Sequence, residues 1–157
     1  MIYLLEDDDS IRKLIVYTLN SQGMESIGFE KPSDFWKEME SKKPDLILLD
    51  IMMGEISGIK MAKMLKTDVA TAEIPIIFCT ARDTEDDMIM GLNLGADDYI
   101  MKPYTVRNVI ARVKSVLRRT SSQKSIVNNK TGYNITPKIP NNSALTGYTN
   151  SKVDKIS

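Results

Sequence analysis

The sequence predicts an α/β fold, a doubly wound parallel sheet with helices on both faces. Three observations carry this. Short apolar runs alternate with helical patterns from the first residue to about residue 120. One run, "LILL" before Asp50, is apolar without interruption, as in a strand buried on both faces. The segments between the runs repeat their apolar residues three and four apart. Five strands alternating with five helices call for parallel strands joined by helical crossovers.

The first strand is "IYLL". "SIRKLIVYTLNSQG" follows as a helix, with Ile11, Leu14, Ile15, Val16 and Leu19 at helical spacing and Gly23 as its stop. "MESIGF" is a weak second strand. "KPSDFWKEMESKK" is a short helix with Pro32 in its first turn and Phe35, Trp36 and Met39 facing inward. "PDLILLD" is the central strand, and "SGIKMAKMLKTD" supplies Ile59, Met61, Ala62, Met64 and Leu65 on the third helix. "IPIIFCT" is the fourth strand. "TEDDMIMGLNLG" reads as a fourth helix capped by Thr84 and ended by Gly95. "DDYIM" is the last strand, and "TVRNVIARVKSVLRR" the last helix, with Val106, Val109, Ile110, Val113, Val116 and Leu117 inward.

After Arg119 the texture changes. In residues 121–157, 21 of 37 positions are Asn, Ser, Thr, Gly, Pro or Gln, a composition that cannot bury a core of its own. The expected organisation is a domain over 1–120 and a flexible polar tail or linker over 121–157. The zero net charge conceals an asymmetry: residues 1–120 carry 16 Lys and Arg against 20 Asp and Glu, and the tail five Lys against one Asp. Neither part has the footprint of a dedicated nucleic-acid binder. Cys79 is the one cysteine, so no internal disulfide forms, and its strand context predicts core packing. The chain has no histidine, which excludes Ser-His-Asp and Cys-His nucleophile systems and the usual zinc sites. No apolar run approaches the length of a spanning helix, and "MIYLLEDD" lacks the pattern of a signal peptide, so no membrane association and a cytoplasmic setting are expected.

In doubly wound sheets, ligands sit at the carboxyl ends of the strands. Those ends carry Glu6 and Asp7, Asp50, Thr80 and Lys102. Three carboxylates converging on one pocket make a hard oxygen site suited to a divalent cation that keeps several waters, which favours magnesium. With its neighbours neutralised, Asp50 can attack phosphorus and form an acyl phosphate. Thr80 can donate to a phosphoryl oxygen and Lys102 can ion-pair with another. Phosphoryl transfer needs positioning and charge neutralisation more than acid–base chemistry. Asp8 and Asp9 read instead as a solvated helix start favoured by the helix dipole.

The stretches "LLEDDDSIR", "PDLILLDIMM…SG", "IIFCTAR" and "GADDYIMKPY" resemble the receiver domain of two-component response regulators over residues 1 to about 120. The resemblance implies a CheY-like, flavodoxin-like sheet of order 2-1-3-4-5. It also implies Mg2+ held by Glu6, Asp7 and Asp50, Asp50 as phospho-acceptor, Thr80 and Lys102 sensing the phosphoryl group, and Tyr99 as switch aromatic. Lys102-Pro103 looks like the family's cis peptide. The implied phosphodonor is a histidine on a partner sensor kinase, and the implied output a change in the face formed by the fourth helix, fifth strand and fifth helix.

Within the family the chain is most similar to the winged-helix transcription-factor branch, the OmpR/PhoB type, part of transcription-regulating pathways. Asp97, Asp98, Arg112 and Arg119 match charged positions that pair across that branch's active homodimer, whereas Met88, Asn93 and Asn108 stand where it carries charges. Gly54 replaces a proline, which should loosen the loop after Asp50. A winged-helix domain needs roughly a hundred residues of its own, so direct DNA binding by this chain is not expected. It reads as a stand-alone receiver, a truncation or a chain ending in a linker. Its catalysis should be limited to self-phosphorylation and slow autodephosphorylation. Two alternatives remain: a Mg2+-dependent phosphatase or phosphotransferase of the aspartyl-phosphate type, and a phosphate-independent interaction module. Met52 stands where such phosphatases carry a second Asp.

Overall fold

Ile2–Leu5 forms β1, whose four residues are all buried because helices cover both faces of the sheet around it. This is a computed structural model, and it describes residues 1–53, 56–81, 93, 95–102 and 105–131, excepting the side chains of 52, 53, 56, 80, 81 and 124–131. Helix α1, Asp9–Ser21, opens with Asp8 as its cap, the carboxylate accepting from the Ile11 amide at 2.9 Å. Gly23 ends it at φ 79°, a left-handed turn that lets the Met24 amide reach back to the Leu19 carbonyl at 2.9 Å. Then come β2, Ser26–Phe29, α2, Pro32–Ser41, and β3, Leu46–Asp50. Helix α3, Gly58–Thr67, is capped by the Ser57 hydroxyl accepting from the Ile59 amide at 3.1 Å. Two strands, β6, Ile76–Ala81, and β7, Asp98–Lys102, precede the last helix, α4, Val106–Thr131. Between β3 and α3 lies a feature the sequence reading did not foresee: β4, Met52–Met53, pairs antiparallel with β5, Ile56–Ser57.

The main sheet is parallel throughout, in the order β2-β1-β3-β6-β7. Counting its strands alone, this is the expected 2-1-3-4-5 order. The winding reverses between β1 and β3, so the two strands that carry Glu6 and Asp50 border the switch point, where doubly wound sheets bind ligands.

Successive residues of each strand point to opposite faces, and the core divides accordingly. Tyr3, Leu5, Ile47, Leu49 and Phe78 pack with Phe35 of α2 and Leu65 of α3. Ile2, Leu4, Leu46, Leu48 and Ile77 pack with Ile15 and Leu19 of α1 and with Val109, Val113 and Val116 of α4. Each such fully buried aliphatic contributes about 1.5–3 kcal/mol relative to exposure. Trp36 is half-buried and packs edge-on against Phe35, with centroids 5.2 Å apart, at the rim of this core. Leu14 and Met64 lie on the helix surfaces, 53% and 51% exposed, because each sits at the edge of its helix's apolar stripe.

Two chain units are distinguished, Met1–Leu117 and Arg118–Ser157, with α4 running through the boundary. Residues 121–131, expected in a flexible tail, are helical. The stretch from Arg118 to Thr131 contains neither Gly nor Pro, so nothing stops the helix before Gly132. Residues 132–157 lie outside the described residues, as does the expected fourth helix apart from Asn93 and Gly95. Gly95 has φ 92°, the conformation a helix end requires. Gly54, Arg82, Met88 and the Lys102-Pro103 peptide also fall outside the description. No helix among the described residues is long and apolar enough to cross a membrane.

Gly58 ties the start of α3 to the end of β3. Its amide donates to the Ile51 carbonyl at 2.9 Å, and a Cβ there would lie 2.2 Å from the Asp50 carbonyl oxygen. Backbone, not a yielding side chain, fills the space. Gly58→Ala is therefore expected to destabilise the fold by about 1–3 kcal/mol, read as a lowered urea midpoint with an unchanged m-value; an unchanged midpoint would show that this approach is looser than drawn.

Candidate functional site

Glu6 is the first residue beyond β1, its amide donating to the Phe29 carbonyl at 3.1 Å. Asp50 is the last residue of β3. The β1–β3 register pairs Leu5 with Leu49, so Glu6 and Asp50 are the next residues on adjacent strands. Both are buried, at 1% and 2% exposure, while Asp7 is exposed. One carboxylate oxygen from each of the three lies within 4.8 Å of the others. Lys102, ending β7, reaches across to them: its Nζ is 3.0 Å from Glu6 Oε1 and 3.1 Å from Asp50 Oδ2.

Two buried carboxylates on neighbouring strands repel, and the low local dielectric sharpens the repulsion. Burial first, and then the Asp50 charge, push the Glu6 carboxyl up to about 7, against the Asp8 amide and Lys102, which pull it down. Burial works to lower Lys102, but its bond to Glu6 and the nearby Asp50 outweigh that and raise it above the ordinary lysine range. Burial, assisted by Asp50 and Glu6, pushes the Cys79 thiol up to about 12. Cys79 is a core residue, as expected.

The donor set suits a hard divalent cation. All three groups are carboxylates, they converge within the span of one ion's coordination sphere, and the exposed one opens the site to solvent. Lys102 offers a cation to two of the three, Glu6 and Asp50.

Thr80 and Tyr99 lie on the adjacent strands β6 and β7. Thr80 follows Cys79, which pairs with Asp50, and its backbone pairs with Met101; its side chain lies outside the described residues. Tyr99 is half-buried, stacked at a tilt on Phe78 with centroids 5.3 Å apart, on the face of the sheet that Leu49 and Phe78 occupy.

The chain matches the response regulator receiver domain family over residues 2–114. It belongs to that family. The receiver is 45% identical over 119 residues to the phosphate regulon transcriptional regulatory protein PhoB of Pseudomonas aeruginosa, an alignment covering 76% of this chain and 52% of that protein. It is 41% identical to the alkaline phosphatase synthesis transcriptional regulatory protein PhoP of Bacillus subtilis, covering 76% of this chain and 49% of that one. The receiver thus spans about half the length of the curated relatives it matches. Among solved structures, the receiver domain of the Francisella response regulator 1452 superposes with a TM-score of 0.68 at 27% identity, covering 76% of this chain and 97% of that one.

Three of the four charged residues matched to the dimer face, Asp97, Asp98 and Arg112, are engaged within the receiver itself. Asp97 Oδ2 accepts from the Ile76 amide at 3.0 Å, while its own amide donates to the Ile76 carbonyl, which fastens the start of β7 to that of β6. Asp98 pairs with Arg112 at 3.0 Å. Arg119 lies in the second unit, exposed. One residue near the site had no role in the sequence reading: Arg12, whose Nη1 donates to the Glu6 carbonyl at 2.9 Å. The available signal was a cation in the first turn of a helix, where the dipole disfavours it.

Proposed function

We propose that this receiver is a phosphorylation-dependent switch: Asp50 takes the phosphoryl group from a phosphohistidine of a sensor kinase, with Glu6, Asp7 and Asp50 holding Mg2+. The P–N bond of the donor breaks, a P–O bond to the Asp50 carboxylate forms, and the donor histidine leaves neutral on protonation. The observation that carries the reading is the convergence of three carboxylates and Lys102 at the switch point of the sheet. Mg2+, when bound, neutralises the carboxylates and the incoming phosphoryl oxygens. Asp50 supplies the attacking oxygen. Lys102, now between Glu6 and Asp50, exchanges the Asp50 contact for a phosphoryl oxygen, and Thr80 donates to another.

The output follows from strand order. Thr80 lies on β6, beside the acceptor's β3, and Tyr99 on β7 beyond it, so an inward pull on Thr80 opens room for Tyr99 to turn and reshape the surface that carries Asp97, Asp98 and Arg112. The reshaped face controls a homodimer or a partner contact in a transcription-regulating pathway. We take the receiver domain to span residues 1–120. Incubation with acetyl phosphate should give one phosphoryl adduct by intact mass with Mg2+ and none with a chelator, accompanied by a larger species on sizing. An adduct indifferent to Mg2+ would remove the cation from the proposal, and no adduct in either condition would favour a phosphate-independent interaction module.

A further inference from the structure

We propose that Arg12, seated over Gly28, is a positioning residue for the cation site, holding the Glu6–Asp7 peptide so that the Asp7 carboxylate emerges toward Glu6 and Asp50. The inference rests on the cation reading above and adds a residue that touches neither cation nor phosphoryl group.

Asp7 is exposed, so packing does not aim its side chain. Its direction is set by the backbone on either side. On the far side the Asp8 amide is held by Glu6 Oε2 at 3.1 Å, and the Asp8 carbonyl accepts from the Arg12 amide at 2.9 Å. On the near side, the peptide linking Glu6 to Asp7 is held through its carbonyl by Arg12 Nη1 at 2.9 Å. Repulsion from Glu6 and Asp50 tends to splay Asp7 outward when no cation is present, and the guanidinium bond opposes that swing. The result is preorganisation: the third carboxylate is near its working place before the cation arrives.

Two further features fit this role. Arg12 lies in the first turn of α1, where the dipole disfavours a cation, yet its side chain is only 13% exposed and its other arm pairs with Asp9 in the same turn. Its stem passes over β2 at Gly28, where a Cβ would lie 2.7 Å from Arg12 Cγ and 2.9 Å from Val16 Cγ2. Among the described glycines only Gly23 and Gly95 take a positive φ, so Gly28 is demanded by the space the arginine stem occupies and not by backbone conformation.

The test is calorimetric titration of the full chain with MgCl2, alongside its melting temperature. Arg12→Met keeps the apolar stem and loses the donors; it should bind Mg2+ about tenfold more weakly, the low end for groups that orient a ligand. Arg12→Lys, which keeps one donor, should recover part of the loss and serves as the second variant should the methionine protein not fold. Gly28→Ala should weaken Mg2+ in the parent by displacing the stem, and should have no further effect in an Arg12→Ala background. Unchanged Mg2+ affinity in Arg12→Met and Arg12→Lys, whatever their melting temperatures, would reduce Arg12 to a fold residue and overturn the proposal, as would an equal Gly28→Ala effect in both backgrounds. Absence of Mg2+ binding by the wild type would instead overturn the cation reading and this inference with it.

Discussion

Asp50→Asn is expected to abolish the Mg2+-dependent phosphoryl adduct while leaving the fold intact. The attacking atom must be a carboxylate oxygen that phosphorus can reach, and an amide oxygen at the same place lacks the charge for it. The substitution is nearly isosteric at a position 2% exposed, so it opens no cavity. Lys102 keeps its 3.0 Å pair with Glu6, and Glu6 loses the neighbouring charge that helps to push its carboxyl up. Melting in the absence of Mg2+ should therefore be unchanged or higher, whereas the adduct disappears from the intact mass. A full-strength adduct in the folded variant would move the acceptor to another carboxylate, with Glu6 and Asp7 the first to examine by peptide mapping.

The parts of this architecture that follow from strict periodicity were legible before any coordinates. Uninterrupted apolar runs gave β1, β3 and β6, and spacing of three and four gave α1 and the first part of α4, because burial on two faces or on one stripe writes itself directly into residue order. The site was legible for the same reason that strand ends are: once the strands are set, the residues after "LL" and "LILL" fall side by side at the switch point. What escaped has a different origin. The pairing of β4 with β5 rests on two residues per strand, too few for a period. The run of α4 to Thr131 is decided by the absence of Gly and Pro, a weaker signal than the polar composition suggested. The pairing of Asp98 with Arg112 inside one chain depends on the distance between β7 and α4, which residue spacing does not contain. Arg12 was hidden by its position on an otherwise solvated helix start, and what sets it apart, its bond to Glu6 and its seat over Gly28, lies in contacts across the fold.

The second large effect is the coupling of stability to pH and Mg2+ through Glu6. Its carboxyl is pushed up to about 7 in the folded chain, chiefly by burial and then by Asp50, and lies in the ordinary glutamate range when unfolded. Between these values the native state binds the extra proton, so stability is highest below the unfolded value and falls as pH rises through about 7. Mg2+ competes with that proton and binds only the folded arrangement, so its effect runs the other way, with affinity increasing up to neutral pH. Urea midpoints of the metal-free chain should decline between pH 5 and pH 8, and Mg2+ at ten times its dissociation constant should restore about 1.4 kcal/mol at the upper end. Glu6→Gln should flatten the pH dependence and weaken the Mg2+ response together, because the carboxyl that titrates is also one of the three that hold the cation. A decline that persists in Glu6→Gln would assign the titration to another group and separate the pH effect from the cation site.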